Sequence, residues 1–351
     1  MAWYKTTPVQ RTPKYNVASG TIANFETNLA LPMKSVVVNI VPIQSGTGTP
    51  SPSNPRPISG TSALNVEHRG KNLNGFTLAD FQGGIVVGNA RFIGIKIPKS
   101  TITYSSNAPT GYIWVARDFT NITTANNRVF DGSPVTYDNV EWLCIGLQKD
   151  NMETAFEYLT QAEYGNVATT FEPYNAETHT FDLGQEILGG TADVVGGSGT
   201  NAFSDLDLSS LEWTYSSTYQ RFSTTSQVAG IKTPPNNNTV ANVLCSHFNS
   251  DTSNNTAEVG KDNIIGVSMT GVIQIRDTSL NGDISALMTL LENVDFVYEL
   301  ATPTDFTFEG QPINSYLGTN NVWTDSGEVL DVEYAYMPTG NSGAYFPAGS
   351  V

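Results

Sequence analysis

Apolar residues in this chain come in short alternating runs, at 85–87, 91–97, 102–104, 112–119, 129–130, 141–147 and 167–171 in the first half, divided by clusters of Gly, Asn, Asp and Pro. A period of two sends successive side chains to opposite faces, so each run reads as a half-buried β-strand, and turn residues at this spacing leave little room for helices. The second half continues the pattern, with strands expected at 178–183, 191–195, 211–215, 221–222, 242–248, 264–269, 272–275, 294–300, 306–308 and 328–334. One stretch breaks it. Over 283–292, Ile284, Leu287, Met288 and Leu291 share a helical face and Asp283 stands at the N-cap, which predicts a helix. A single helical turn is expected over 151–158, with Met152, Phe156 and Leu159 along one side. The expected fold class is mainly β: antiparallel β-sandwich modules, one short helix in the second module, and an extended N-terminal arm.

The chain of 351 residues divides into an arm over 1–35, a strand and proline-rich strap over 36–67, a first β module over 68–175, a second over 176–337 and a tail over 338–351. Thr7-Pro8, Thr12-Pro13 and Leu31-Pro32 interrupt regular structure in the arm, while Ile22, Phe25 and Leu29 fall at near-helical spacing. An arm this poor in apolar residues does not fold alone. It is read as fixed against a partner or a second copy, with packing on its own domain as the plainer alternative. The strap holds Pro42, Pro50, Pro52, Pro55 and Pro57 between the turn-forming Gly46, Gly48 and Gly60, which shapes it more than a flexible linker would be. The assembly residues expected are Trp3, Tyr4, Tyr15, Ile22, Phe25, Leu29, Pro50, Pro52, Pro55, Arg56 and Pro57.

The strap also carries a resemblance. Gln44 to Gly60 fits the pattern Q-S-G-x-G-x-P-S-P-x-N-x-R-P-I-x-G. Further segments follow in order: Gly70-Lys71-Asn72-Leu73, the run from Glu163 through Ala168, Thr169, Phe171, Glu172 and Pro173 to Tyr174, Leu188-Gly189-Gly190 with Asp193-Val194, Val297-Tyr298-Glu299-Leu300-Ala301-Thr302-Pro303, and Leu317-Gly318-Thr319-Asn320-Asn321-Val322-Trp323. Together they resemble minor tail and fibre-like structural proteins of tailed bacteriophages and prophages of Gram-positive bacteria. Ala192 and Gly196-Gly197 depart from the usual pattern, and the first 35 residues match no segment of it. The resemblance implies a non-enzymatic virion protein with jelly-roll-like modules. It further implies a trimer, docking on other virion proteins through the arm, and adhesion to host-surface glycan. A head fibre or capsid decoration protein without ligand, and a tail-mounted polysaccharide hydrolase, are the alternatives.

Charge and motifs narrow the chemistry. A net charge of −16 with no basic stripe argues against nucleic acid and against an anionic membrane surface. No signal peptide or spanning apolar run is legible, so the expected location is the virion, after assembly in a host cytoplasm. His68, His179 and His247 stand singly, and Cys144 and Cys245 read as reduced, buried thiols. No Gly-x-Ser-x-Gly elbow or phosphate loop is present, and no catalytic residue is assigned. Carboxylate pairs such as Asp205 with Asp207, or Asp118 with Glu141, leave a hydrolase open. No cofactor is expected, and structural Ca²⁺ at Asp205-Leu-Asp207 or 277–283 is the minor alternative. Tyr112 and Trp114, or Trp213, Tyr215 and Tyr219, alternate so that each set shares a face, which suits either a sugar platform or a sandwich core.

Overall fold

The computed structural model describes residues 23–27, 30, 32–235, 241–250, 261–324 and 327–334. The chain is mainly β, built from antiparallel sheets with a few short helices, as its alternating runs require.

At its centre lies a sandwich assembled from distant parts of the sequence. One sheet orders the strands Ala23–Thr27, Gly318–Thr324, Thr61–Arg69 and Ala176–Ile187; the other orders Val243–Cys245, Phe296–Thr307, Ser198–Asp205, Gly190–Asp193, Met33–Ile40 and Gly327–Tyr334. Val36, Val38 and Ile40 face Leu64, Val66 and Phe181 across a dry interior completed by Leu183, Ala192, Ile313 and Val322. Each such side chain taken from water is worth about 1.5–3 kcal/mol. The alternation of the 33–40 strand, buried at every second position from Val36 to Ile40, is the sequence cause of its place between two neighbours.

Two excursions leave this frame. Residues 70–175 form a six-stranded sheet around the long strands Ala90–Ser106 and Val135–Gln148, with Phe81, Tyr104, Phe130 and Leu143 on one face and Phe92, Ala116 and Cys144 on the other. Within 206–235, 246–250 and 261–295 lies a five-stranded sheet whose core, Phe222, Phe248, Ile265, Ile275, Leu287 and Leu291, closes against Phe296 and Tyr298 of the sandwich. The helix Ile284–Leu291 is capped by Asp283, whose Oδ1 accepts from Ser285 N and Ala286 N, and buries Leu287 and Leu291 while Ile284 stays exposed.

Three expectations change. The frame joins the 33–40 and 61–69 strands to residues 176–205 and 296–334, so the linear order of arm, strap and successive modules gives way to a discontinuous sandwich with two insertions. Instead of a helical turn, Phe25 lies in a strand, and 23–27 pairs with 318–324 of the same chain; Trp3, Tyr4, Tyr15, Ile22 and Leu29 and the tail lie outside the described residues. The 167–171 segment is an exposed loop, and Thr160–Tyr164 supplies the closing strand. Among the described residues, no helix is long and apolar enough to cross a membrane.

Candidate functional site

The strap winds around one guanidinium. Arg56 Nε donates to Ser45 O at 3.0 Å, Nη1 to Gly48 O at 2.7 Å, and Nη2 to Gly46 O at 3.2 Å and Gln44 O at 3.4 Å. Asn54 Nδ2 closes the tip on Thr47 O and Thr49 O. The loop is then tied to the second insertion: Gln44 Nε2 donates to Cys245 O, Arg56 N to Ser246 O, Ile58 N to Asp295 Oδ2, and Asn263 Nδ2 to Pro50 O. Arg56 and Pro50, expected to face a partner, therefore hold the strap to its own chain, while Pro52, Pro55 and Pro57 stand on the exposed side. A planar cation with five donors is what lets one side chain collect four carbonyls.

Three of the other resembling segments, 70–73, 163–174 and 317–323, meet at the root of the first insertion. Asn72 accepts from Asn74 N and Ala162 N through Oδ1 and donates to Glu172 O. Lys71 reaches Thr170 O and Glu172 Oε1, and Asn321 Nδ2 donates to Gly70 O. Glu163, nearly buried, accepts from Gln161 Nε2, Thr169 N and Thr169 Oγ1 at 2.7–2.9 Å. Trp323 leaves the sandwich to join the insertion's core, with Arg69 Cζ 5.0 Å above its ring. Beside it, His68 is fully buried, stacked on Tyr316 at 4.1 Å and bonded through Nε2 to Asn320 Oδ1 at 2.8 Å. Glu163→Gln places an amide where three donors converge, and is expected to lower the urea-unfolding stability by about 2 kcal/mol.

The five aromatic candidates separate. Tyr112 packs into the core around Phe130 with Tyr158 at 5.3 Å, whereas Trp114 packs on the opposite face with Phe119, so the two share no platform. Tyr112 precedes the strand Ile113–Ala116, so the alternation that puts Trp114 on that face does not bind it. Trp213 is buried and donates Nε1 to Leu208 O at 3.0 Å; Tyr215 lies against Phe222 in the same core. Only Tyr219 of the five is exposed.

A groove of about 300 Å³ that sequence reasoning missed lies between the helices Leu78–Gln82 and Met152–Phe156 of the first insertion. Phe76, Phe156, Leu159, Phe171 and Tyr174 line it, the last four with more than a third of their surface open. The ring of Tyr174 lies so close to Gly75 that a Cβ there would meet it at 2.2 Å. Asn74, whose Nδ2 is bound to Thr160 O, leaves Oδ1 without a partner in the groove wall. The signal was Phe171-Glu172-Pro173-Tyr174 itself, two aromatics held extended by a proline in a segment too polar to be core.

Four of the six acidic candidates are engaged locally. Asp207, Asp277 and Asp283 cap the turns that follow them, and Asp118 accepts from Asn121 and Thr120, bonds that hold its carboxyl below the usual range. Among the described residues no group of three His, Cys, Asp or Glu side chains is placed to hold a metal. Cys144 and Cys245 are free, and burial pushes each thiol up to about 12. No family model, curated protein or solved structure matches this chain.

Proposed function

We propose that this chain is a non-enzymatic structural protein of a bacteriophage particle, a tail- or fibre-like appendage whose sandwich is the frame and whose insertions are displayed for adhesion to host-surface glycan. One observation carries the reading: four of the six segments through which the chain resembles such proteins lie at joints, the 44–60 strap tied to one insertion and 70–73, 163–174 and 317–323 rooting the other in the frame. Residues serving joints suit a part that transmits load. Attachment runs through the residues before the 23–27 strand, and the groove of Phe156, Leu159, Phe171 and Tyr174 meets the sugar, its rings stacking on pyranose faces. Each contact is weak, and several copies on one appendage, most simply a trimer, raise avidity by ~10² to 10⁴.

Titration of the purified protein with host-surface polysaccharide tests this. Binding without new reducing ends is expected, and Phe156→Ala with Phe171→Ala is expected to weaken it at least about tenfold while the melting temperature holds. New reducing ends would replace the adhesin with a hydrolase. Absence of binding, with particles that lack the protein merely losing stability, would leave a decoration protein.

A further inference from the structure

On the face of the five-stranded sheet opposite its core, two arginines oppose each other, and among the described residues no carboxylate forms an ion pair with either. The register that pairs Phe222 with Ile275 and Ser223 with Gln274 carries Arg221 to the position across from Arg276. Phe222 and Ile275 point into the core, so both guanidinium stems leave the other way. Like charges directly opposite destabilise an antiparallel pair. The ion pairs among the described residues are Arg69 with Glu67, Lys71 with Glu172, His179 with Glu177 and Lys232 with Glu299, and neither arginine belongs to one. Carboxylates outnumber cations 33 to 17 in this chain, so a counterion was available to the fold.

The surroundings are ordered as a site. Arg276 is 3% exposed; its Nη1 donates to Tyr219 O at 3.1 Å and its Nη2 to Gln220 Oε1 at 2.7 Å, while its Nε has no partner. Gln274, 6% exposed on the same face, leaves Oε1 unpartnered, and so does Arg221 its Nε. Arg221 Cζ lies 4.7 Å from the centre of the Tyr219 ring, which stands 53% exposed at the tip of the hairpin joining Trp213–Ser216 to Arg221–Thr224. Asp262, whose carboxyl feels the charge of Arg276, already accepts from Thr278 N and Oγ1 at 2.7 Å through its two oxygens.

We propose that Tyr219, Arg221 and Arg276 form a subsite for an anionic sugar: the ring stacks on Tyr219, the anionic oxygens take the open donors of Arg221, and Arg276 adds its charge from beneath. The register sets two like charges on neighbouring strands, and an anion arriving beside them is attracted by both. The subsite is in the opposite insertion from the aromatic groove and stands whether or not the groove binds a neutral sugar.

Calorimetric titration of the full chain with a galacturonic acid trimer, a neutral galactose trimer, glucose 6-phosphate and inorganic phosphate tests it. The acidic trimer is expected to bind at least about tenfold more tightly than the neutral one, to weaken with salt, and to lose about tenfold in Arg221→Gln and in Tyr219→Ala. The glucose 6-phosphate arm tells whether phosphate serves as well as carboxylate. Arg221→Gln is expected to melt no lower than the parent, because one of two opposed charges is gone; Lys149→Gln, which removes an exposed cation of the first insertion outside the groove, is expected to leave acidic binding unchanged. Equal affinity for acidic and neutral trimers, or full affinity in Arg221→Gln, would overturn the proposal. Inorganic phosphate binding as tightly as the acidic sugars would overturn the stacking role of Tyr219, and a melting temperature that falls in Arg221→Gln would make Arg221 a structural residue.

Discussion

Gly190→Ala is expected to leave no stably folded protein, a loss of more than about 4 kcal/mol against the 5–15 kcal/mol that holds a typical domain together. Gly190 opens the 190–193 strand, which lies between 33–40 and 198–205, and its φ of +147° is one that side chains of L residues avoid. A Cβ built there would sit 1.8 Å from Thr200 O and 3.0 Å from Ala202 N, and backbone on a paired strand cannot move aside without breaking the ladder. Gly184→Ala is the control. Its φ is +69° and no atom lies within 4 Å of the added carbon, so only the conformational cost of about 1–2 kcal/mol applies. Soluble yield and urea midpoints of the two variants measure the difference, and a Gly190→Ala protein that melts near the parent would refute the close approach.

Acidification from pH 6.5 to 4 is expected to remove about 3 kcal/mol of stability through His68 alone. Burial, only partly opposed by the bond from Asn320 and the charge of Glu177, lowers its pKa to about 4. Asn320 Oδ1 also accepts from Tyr316 N, and Asn320 Nδ2 donates to Tyr316 O and Gly318 O, so the amide orientation is fixed and His68 Nε2 must be the donor. A second proton would go to Nδ1, which is buried without an acceptor. The unfolded chain takes that proton near pH 6.5 and the folded chain only near 4, so stability is whole above 6.5 and lost as pH falls through the window between. His68→Gln removes the titration; its stability between pH 7 and 4 is expected to fall by about 3 kcal/mol less than the parent's, and parallel curves would refute the assignment.

Much of the fold was legible, for reasons that differ by element. The helix Ile284–Leu291 declared both its face and its cap, and the 33–40 strand declared itself by branched residues alternating in burial. Partners were not legible: a period of two says that a segment is a strand and nothing about which strand lies beside it, so the pairing of 23–27 with 318–324 could not be read. Thr61–Arg69 and Gly318–Thr324 were missed because their inward positions include His68, Asn320 and Asn321, polar groups that belong indoors only because they bond one another and the neighbouring turns. The same blindness applied to the aromatics. Trp213 and Tyr215 look like a platform until the 284–291 helix is laid over them, whereas Phe171 ends a run that reads as a strand and folds as a loop, and Tyr174 follows it in a stretch with no periodicity.

The frame's wiring sets an order of events during synthesis. Residues 33–40 and 61–69 leave the ribosome well before half of their neighbours, 318–324 and 327–334, are made. Both insertions hold most of their core residues within their own spans, so they are free to collapse while the strands 33–40 and 61–69 wait for contacts more than 250 residues away along the chain. A product cut short before residue 318 would carry finished lobes on an open, unpaired sheet edge, the kind of surface that chaperones and proteases recognise.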